Sequence, residues 1–309
     1  MAPAQTLRSR LVYVLLLLCI CQCANAQRSQ HLALPSLEHR VRSASRESSY
    51  QHPSIDELRA AERLFTRTLR ADEPVEVLRD AWAGSHFELK AVELHDQPLW
   101  LLRESEGHQV GRGFYAFRPN ATMPVAIQSP HSFGDRRTRE LTARLFVDSD
   151  FAAAAFNTVH RDIMDAAHSH NCLLNSFTTA FLRVHRDDAF VCQLHGFSRS
   201  KRTTDRGRNS DLIVSNGTRL GAHWTQRTVT VFRDHWPNVA VRLFPDDVSE
   251  LGATTNHQGR IILQSGLGRF LHLEMSAELR DDLYRLPAPR GELLKAIEDS
   301  FRTGLRVPS

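Results

Sequence analysis

The stretch that decides the fold is MPVAIQSPHSFGDRRTRELTARLFVDSDFAAAAF, residues 123–156. A short apolar run, Met123–Gln128, stops at Ser129-Pro130-His131. A helical pattern covers Thr138–Phe146, and a second apolar run, Ala152–Phe156, stops at Asn157-Thr158. Short apolar runs bounded by turn residues read as strands buried on both faces. The alternation continues downstream with a helix over Leu173–Val184, a run over Ala189–Leu194 that stops at His195-Gly196, and a strand over Leu212–Val214. A helix over Trp224–His235, strands over Val239–Leu243 and Phe270–Glu274, and a helix over Glu292–Phe301 complete it. Alternating strands and helices predict an α/β fold with a mostly parallel (mixed) central sheet and helices on both faces.

Before residue 120 the texture differs. Ser54, with Glu57 three residues later, forms a capping box, and Leu58, Ala61, Leu64, Phe65 and Leu69 share one helical stripe. A short helix is expected over 74–83. His86–Leu94, Pro98–Arg103 and Gly111–Arg118 alternate apolar and polar residues, which predicts an antiparallel β-meander. Residues 27–52, rich in Ser, Arg and Gln, read as a flexible leader. Residues 53–120 then form an N-terminal helix plus β-meander, and residues 121–309 the α/β domain.

Residues 1–26 read as a secretory signal. Arg8 and Arg10 precede a 13-residue apolar run, Leu11–Cys23, and Ala24-Asn25-Ala26 has the small-x-small form of a cleavage site. The run is too short to span a bilayer comfortably, so no stable membrane span is expected after cleavage, and the location is periplasmic or secreted. Removing Arg8 and Arg10 from the 39 basic residues leaves 37 against 35 acidic ones. That near balance removes the bulk-charge case for nucleic-acid binding. Cys172 and Cys192 remain in the mature chain. An oxidising compartment favours a disulfide between them, worth about 3 kcal/mol; two buried free thiols are the alternative.

In a parallel α/β sheet, sites form at the carboxyl edge. Three of the expected strands end in groups of metal-binding or catalytic type: Pro130-His131, with Asp135 four residues on, Leu194-His195-Gly196, and His272-Leu273-Glu274. Catalytic zinc takes three nitrogen or carboxylate ligands and keeps a fourth position open. His131, Asp135 and His195 supply such a set for Zn²⁺, and Glu274 is then free as a general base.

Ser129-Pro130-His131, Gln193-Leu194-His195-Gly196-Phe197 and His272-Leu273-Glu274-Met275-Ser276 resemble, in order and spacing, the N-formylglutamate amidohydrolase group and the wider zinc-carboxypeptidase-like hydrolases. The resemblance covers about residues 120–285. It implies a mixed-sheet α/β fold, zinc held by His131 and His195 with a carboxylate between them, and Glu274 promoting attack of water on an amide. The carboxypeptidase pattern has its Glu three residues after the first His, where this chain has Gly134. Asp135 is the nearest carboxylate and Glu140 the next.

Around this set, Arg161 is suited to gripping an anionic substrate group with its planar fork, and His160 and Asp165 to orienting ligands. Asn256 and Arg260 precede Glu274 and suit a substrate carboxylate, as carboxypeptidase-like sites use an Asn and an Arg. Arg199 begins a basic cluster that continues through Lys201, Arg202, Arg206 and Arg208 and would make a positive rim. No nucleophile elbow, phosphate loop or dinucleotide fingerprint is present in the sequence. The expected function is an exported zinc amidohydrolase or carboxypeptidase-like enzyme acting on a small peptide or N-acyl amino acid. The competing expectation is a non-catalytic exported binder of peptide or cell-wall fragments.

Overall fold

The computed structural model describes residues 34–45 and 50–305. The signal segment expected at 1–26 lies outside the described residues. The chain opens with helices α1 (Leu34–Ser43), α2 (Ile55–Arg70) and α3 (Val75–Ala83). The meander follows as β1 (Phe87–Leu94), β2 (Gln97–Glu104) and β3 (Phe114–Phe117). Then come β4 (Met123–Ser129), α4 (Thr138–Asp148), β5 (Phe151–Phe156), α5 (Leu173–His185) and β6 (Phe190–Gly196). A short α6 (Asp205–Arg208), β7 (Leu212–Ser215), α7 (His223–His235) and β8 (Val241–Leu243) lead to α8 (His257–Ser265) and β9 (Arg269–Met275). Helices α9 (Ala277–Arg285) and α10 (Pro287–Leu305) end the described chain. No helix among the described residues is long and apolar enough to cross a membrane.

All nine strands join one sheet in the order β1-β2-β3-β5-β4-β6-β9-β7-β8. The central run β5-β4-β6-β9 is parallel, and the meander and β7 attach to it in antiparallel fashion. The meander is therefore the continuation of the α/β sheet, with β3 paired directly to β5. Two apolar cores lie on opposite faces. Helices α1, α4, α7, α9 and α10 cover one, and α2, α3, α5 and α8 cover the other.

This topology positions the site. From β4 the chain crosses to β5 through α4 on one face, and returns to β6, on the other side of β4, through α5 on the opposite face. The carboxyl ends of β4 and β6 thus flank a point where the winding reverses, which opens a crevice there. His131 follows β4, and His195 lies on the last turn of β6.

Two expectations change. The flexible-leader reading of 27–52 gives way over Leu34–Ser43, because Leu37 and Val41, spaced four residues apart, are fully buried against the α4 side of the sheet. The expected disulfide is absent, and Cys172 and Cys192 are free and buried. Cys192 points from β6 into one core, while Cys172, at the start of α5, faces the other, so the sheet separates them. Burial pushes the Cys172 thiol up to about 11 and raises that of Cys192 further.

Candidate metal centre

The site follows from strand alternation. On β6, Phe190, Cys192 and Leu194 face one core, leaving Val191, Gln193 and His195 on the opposite face. On β9, Leu271, Leu273 and Met275 alternate in the same way with Phe270, His272 and Glu274. The parallel register sets Gln193 beside His272 and His195 beside Glu274. Towards the carboxyl edge this face changes from apolar to polar while staying buried. The edge borders a cleft of about 770 Å³ lined by His131, Asp135, His195, His272 and Glu274.

Three of these residues converge. His131 Nδ1 lies 3.2 Å from His195 Nδ1 and 3.3 Å from Asp135 Oδ2, and His195 Nδ1 lies 3.8 Å from the same oxygen. Corners of a tetrahedron centred on zinc, about 2.1 Å from each ligand, stand about 3.4 Å apart. The spacing of the three atoms fits a zinc ligand set. Their chemistry fits as well. His131 Nε2 donates to Asp165 Oδ1 at 2.8 Å, which leaves Nδ1 as the ring nitrogen available to the cluster. Asp135 is held by the Gly196 N–H, which donates to Oδ2 at 3.0 Å.

Burial and neighbouring charges shift the titratable groups of the pocket. Burial works against charge on His131, yet Asp135 and Asp165 raise it to about 9. Burial likewise opposes charge on Asp135, but His131 and the Gly196 N–H hold its carboxyl below the usual range. His195 falls well below its ordinary value through burial and the neighbouring His272 and His131. His272 falls to about 3 for the same kind of reason, burial first and His131 next.

Glu274 stands apart from this triad. Burial, reinforced by Asp135, pushes its carboxyl up to about 8. Its Oε1 is 3.6 Å from His272 Nε2, and its buried Oε2 has no hydrogen-bond partner among the described residues. A buried carboxylate oxygen without a partner is costly unless something else uses it.

The other expected residues divide. Asp165 orients His131 and also accepts from His168 Nδ1 at 3.0 Å and from the Ala167 N–H. Arg161 lines the cleft, with nitrogens 3.5 Å from Asp135 and 3.3 Å from Asp165. Its stem explains Gly134, because a Cβ there would come within 2.8 Å of Arg161 Cγ. Asn256 also lines the cleft, but its side chain caps α8 by accepting from the Gly259 N–H. His160 is turned outward beside Asp162. Arg260 is bonded to the Thr254 carbonyl and borders a separate surface hollow. Arg199 is engaged with Asp211 and Glu278.

Three further residues line the cleft: His272, named in the sequence only as part of the third strand end, Arg202, expected only as part of the basic rim, and Arg280, given no role there. His272 shares the Glu274 face of β9, and a period of two counted back from Glu274 points to it. Arg202 lines the cleft from the loop after β6. Arg280 is buried under Gly196, bonded to the carbonyls of Ser276, Arg136 and Phe197, with no ion pair to a carboxylate among the described residues. Only the helix start at Ser276, which caps α9 and places Arg280 one turn on, marks it in the sequence.

The chain matches solved amidohydrolase and metallo-carboxypeptidase structures. N-formylglutamate amidohydrolase from Ralstonia eutropha JMP134 aligns with a TM-score of 0.40 at 12% identity, over 64% of this chain and 98% of that one. A metallo-carboxypeptidase from Burkholderia cenocepacia aligns with a TM-score of 0.37 at 13% identity, over 82% and 70% respectively. No family profile and no curated protein sequence matches the chain. At such identities the chemistry rests on the geometry of the site itself.

Proposed function

We propose that this chain is an exported zinc-dependent hydrolase that cleaves an amide or peptide bond near a free carboxylate. The observation that carries the reading is the pairing of two features in one cleft. Three ligand atoms stand at tetrahedral spacing, and a separate buried glutamate has an oxygen to spare. His131, Asp135 and His195 would hold the ion. Zinc supplies Lewis acidity there, polarising a carbonyl and making water a nucleophile near neutral pH.

The remaining steps belong to side chains of this chain. Glu274 takes the proton from the attacking water and delivers it to the departing amine. Burial raises its proton affinity, and a bound dication beside it would lower that affinity again, leaving the carboxylate able to accept the proton and then return it. Arg280 supplies a buried positive charge beside the ligands, and Arg161 and Arg202 extend it along the cleft. Arg161, Arg202 and Arg280 border the cleft and would hold a substrate carboxylate, Arg161 while also facing Asp135 and Asp165 and Arg202 while facing Glu250; Arg199 and Arg260 do not line it. The substrate class is therefore a small acidic amide, a short peptide or an N-acyl amino acid.

The test is Glu274→Gln, assayed for zinc content and for turnover of N-acyl amino acids. One zinc per chain should remain while turnover falls by about 10²–10⁴-fold, the usual contribution of a general base. Loss of the metal would instead make Glu274 a ligand. Unchanged turnover would remove it from the reaction. Export is tested separately, by N-terminal sequencing of the mature protein, which should begin at Gln27.

A further inference from the structure

Beneath His195 lies a buried patch of side-chain amides. Gln128, Gln193 and Gln258 are fully buried, and Asn256 and Asn175 nearly so. An amide can be flipped, so its orientation carries meaning only where something fixed decides it. Here backbone groups decide it. Asn256 Oδ1 accepts from the Gly259 N–H, which turns Asn256 Nδ2 towards Gln193 Oε1 at 2.7 Å. Asn175 Nδ2 donates to the carbonyls of Ser169 and His170, which turns its Oδ1 towards Gln258 Nε2 at 2.6 Å. Gln258 Nε2 also donates to the Ala166 carbonyl, so Gln258 Oε1 faces Gln193 Nε2 at 3.0 Å. Gln128 closes the set. Its Nε2 donates to the Thr178 hydroxyl, which itself donates to the Leu174 carbonyl, and its Oε1 accepts from Gln193 Nε2 at 2.8 Å.

Every route fixes Gln193 the same way, with its nitrogen inward and its oxygen towards the site. Gln193 Oε1 is 3.2 Å from His195 Nε2. An amide oxygen only accepts, so the hydrogen sits on Nε2, and the His195 Nδ1 lone pair faces His131 and Asp135. We infer that Gln193 is a positioning residue that sets the His195 tautomer and so determines zinc affinity. The inference rests on the zinc reading above. It gives the two histidines different supports: a carboxylate, Asp165, for His131, and a neutral amide for His195. A neutral partner adds no further negative charge to a pocket that already holds Asp135 and Glu274.

The direct test uses the full chain loaded with ¹¹³Cd and labelled with ¹⁵N in histidine. His195 signals are assigned by their loss in His195→Asn. A cadmium coupling at His195 Nδ1, with the proton on Nε2, is expected. Coupling at His195 Nε2 overturns the inference and leaves the metal reading standing. Absence of coupling at every histidine overturns both. Two nearly isosteric variants supply the affinity readout. Gln193→Met removes the acceptor and should weaken zinc binding by about 10–100-fold, the usual cost of losing an outer partner. Gln128→Met disturbs the same network without touching His195 and should stay within about threefold of wild type. Equal losses in the two, or none in a folded Gln193→Met protein, contradict a positioning role. If Gln193→Met does not fold, the cadmium spectrum of the unmodified chain decides.

Discussion

Strands β6 and β9 have two buried faces that were built to different ends. One carries Phe190, Cys192, Leu194, Leu271, Leu273 and Met275, all in the apolar core under α4, α7 and α10. The other begins alike, with Val191 and Phe270, but continues as Gln193, His195, His272 and Glu274. The first face stabilises by leaving water, worth about 1.5–3 kcal/mol for each large apolar side chain. The second gains little in this way. Each buried polar group must find a partner or cost about 1–3 kcal/mol. The same strands therefore teach that burial alone does not mean core. The polar half-face is held in place by Asp165, the Gly196 N–H and the amide network, and it presents its remaining groups to a cleft.

Adjacent residues on the two faces give the widest contrast. His195→Ala should abolish turnover and weaken zinc binding by more than about 100-fold, beyond the cost of an outer partner. Leu194→Ala, one position away, should cost about 2–5 kcal/mol of stability and leave one zinc per chain. Zinc loss in both variants, or in neither, would erase the distinction between the faces.

The cationic cleft offers the next test. Replacing the free carboxylate of a cleaved substrate with its amide removes a charge-assisted contact worth about 1.5–3 kcal/mol, roughly 10- to 150-fold in kcat/KM. An equal rate on the two substrates would take the carboxylate out of recognition.

A pH experiment sharpens the polar face. His131 in the metal-free protein titrates at about 9, above its ordinary value, so at pH 7 it carries a proton that zinc must displace. Zinc affinity should rise with pH up to about 9, and binding at pH 7 should release at least one proton, from His131, with a second from Glu274 as the dication lowers its affinity. Calorimetry in buffers of different ionisation enthalpy measures this. Binding without proton release contradicts the assignment. The smallest effect belongs to the cysteines. Denatured, unreduced protein prepared to begin at Gln27 should show two reactive thiols, and reductant should leave the melting temperature unchanged. A single disulfide per chain would mean that the sheet does not separate Cys172 from Cys192.

The legible part of the molecule follows from local pattern. Met123–Phe156 reads correctly because buried strands and their turn residues are written into consecutive positions. His131, His195 and Glu274 are legible because each closes a strand, and parallel strands bring their ends to one edge. Helices α8 and α9 lie outside the expected pattern, although Asn256 and Ser276 cap them. Helix α1 escapes because its buried Leu37 and Val41 sit among Glu38, His39, Arg40 and Arg42, which hide the apolar stripe. Gln193 and Arg280 acquire their roles through contacts made across the fold. Spacing along the chain does not record that a glutamine on β6 meets Asn256, or that an arginine on α9 lies beneath Gly196.

The central claim, that one divalent ion sits between His131, Asp135 and His195 while Glu274 stays free, is tested most directly by anomalous diffraction at the zinc edge on zinc-loaded crystals. The account predicts one peak about 2.0–2.2 Å from His131 Nδ1, His195 Nδ1 and an Asp135 oxygen. Two other groups of ionisable side chains lie nearby: His195 with His272 and Glu274, and His131 with Asp165 and His168. A peak in either group, or no peak at all, would contradict it.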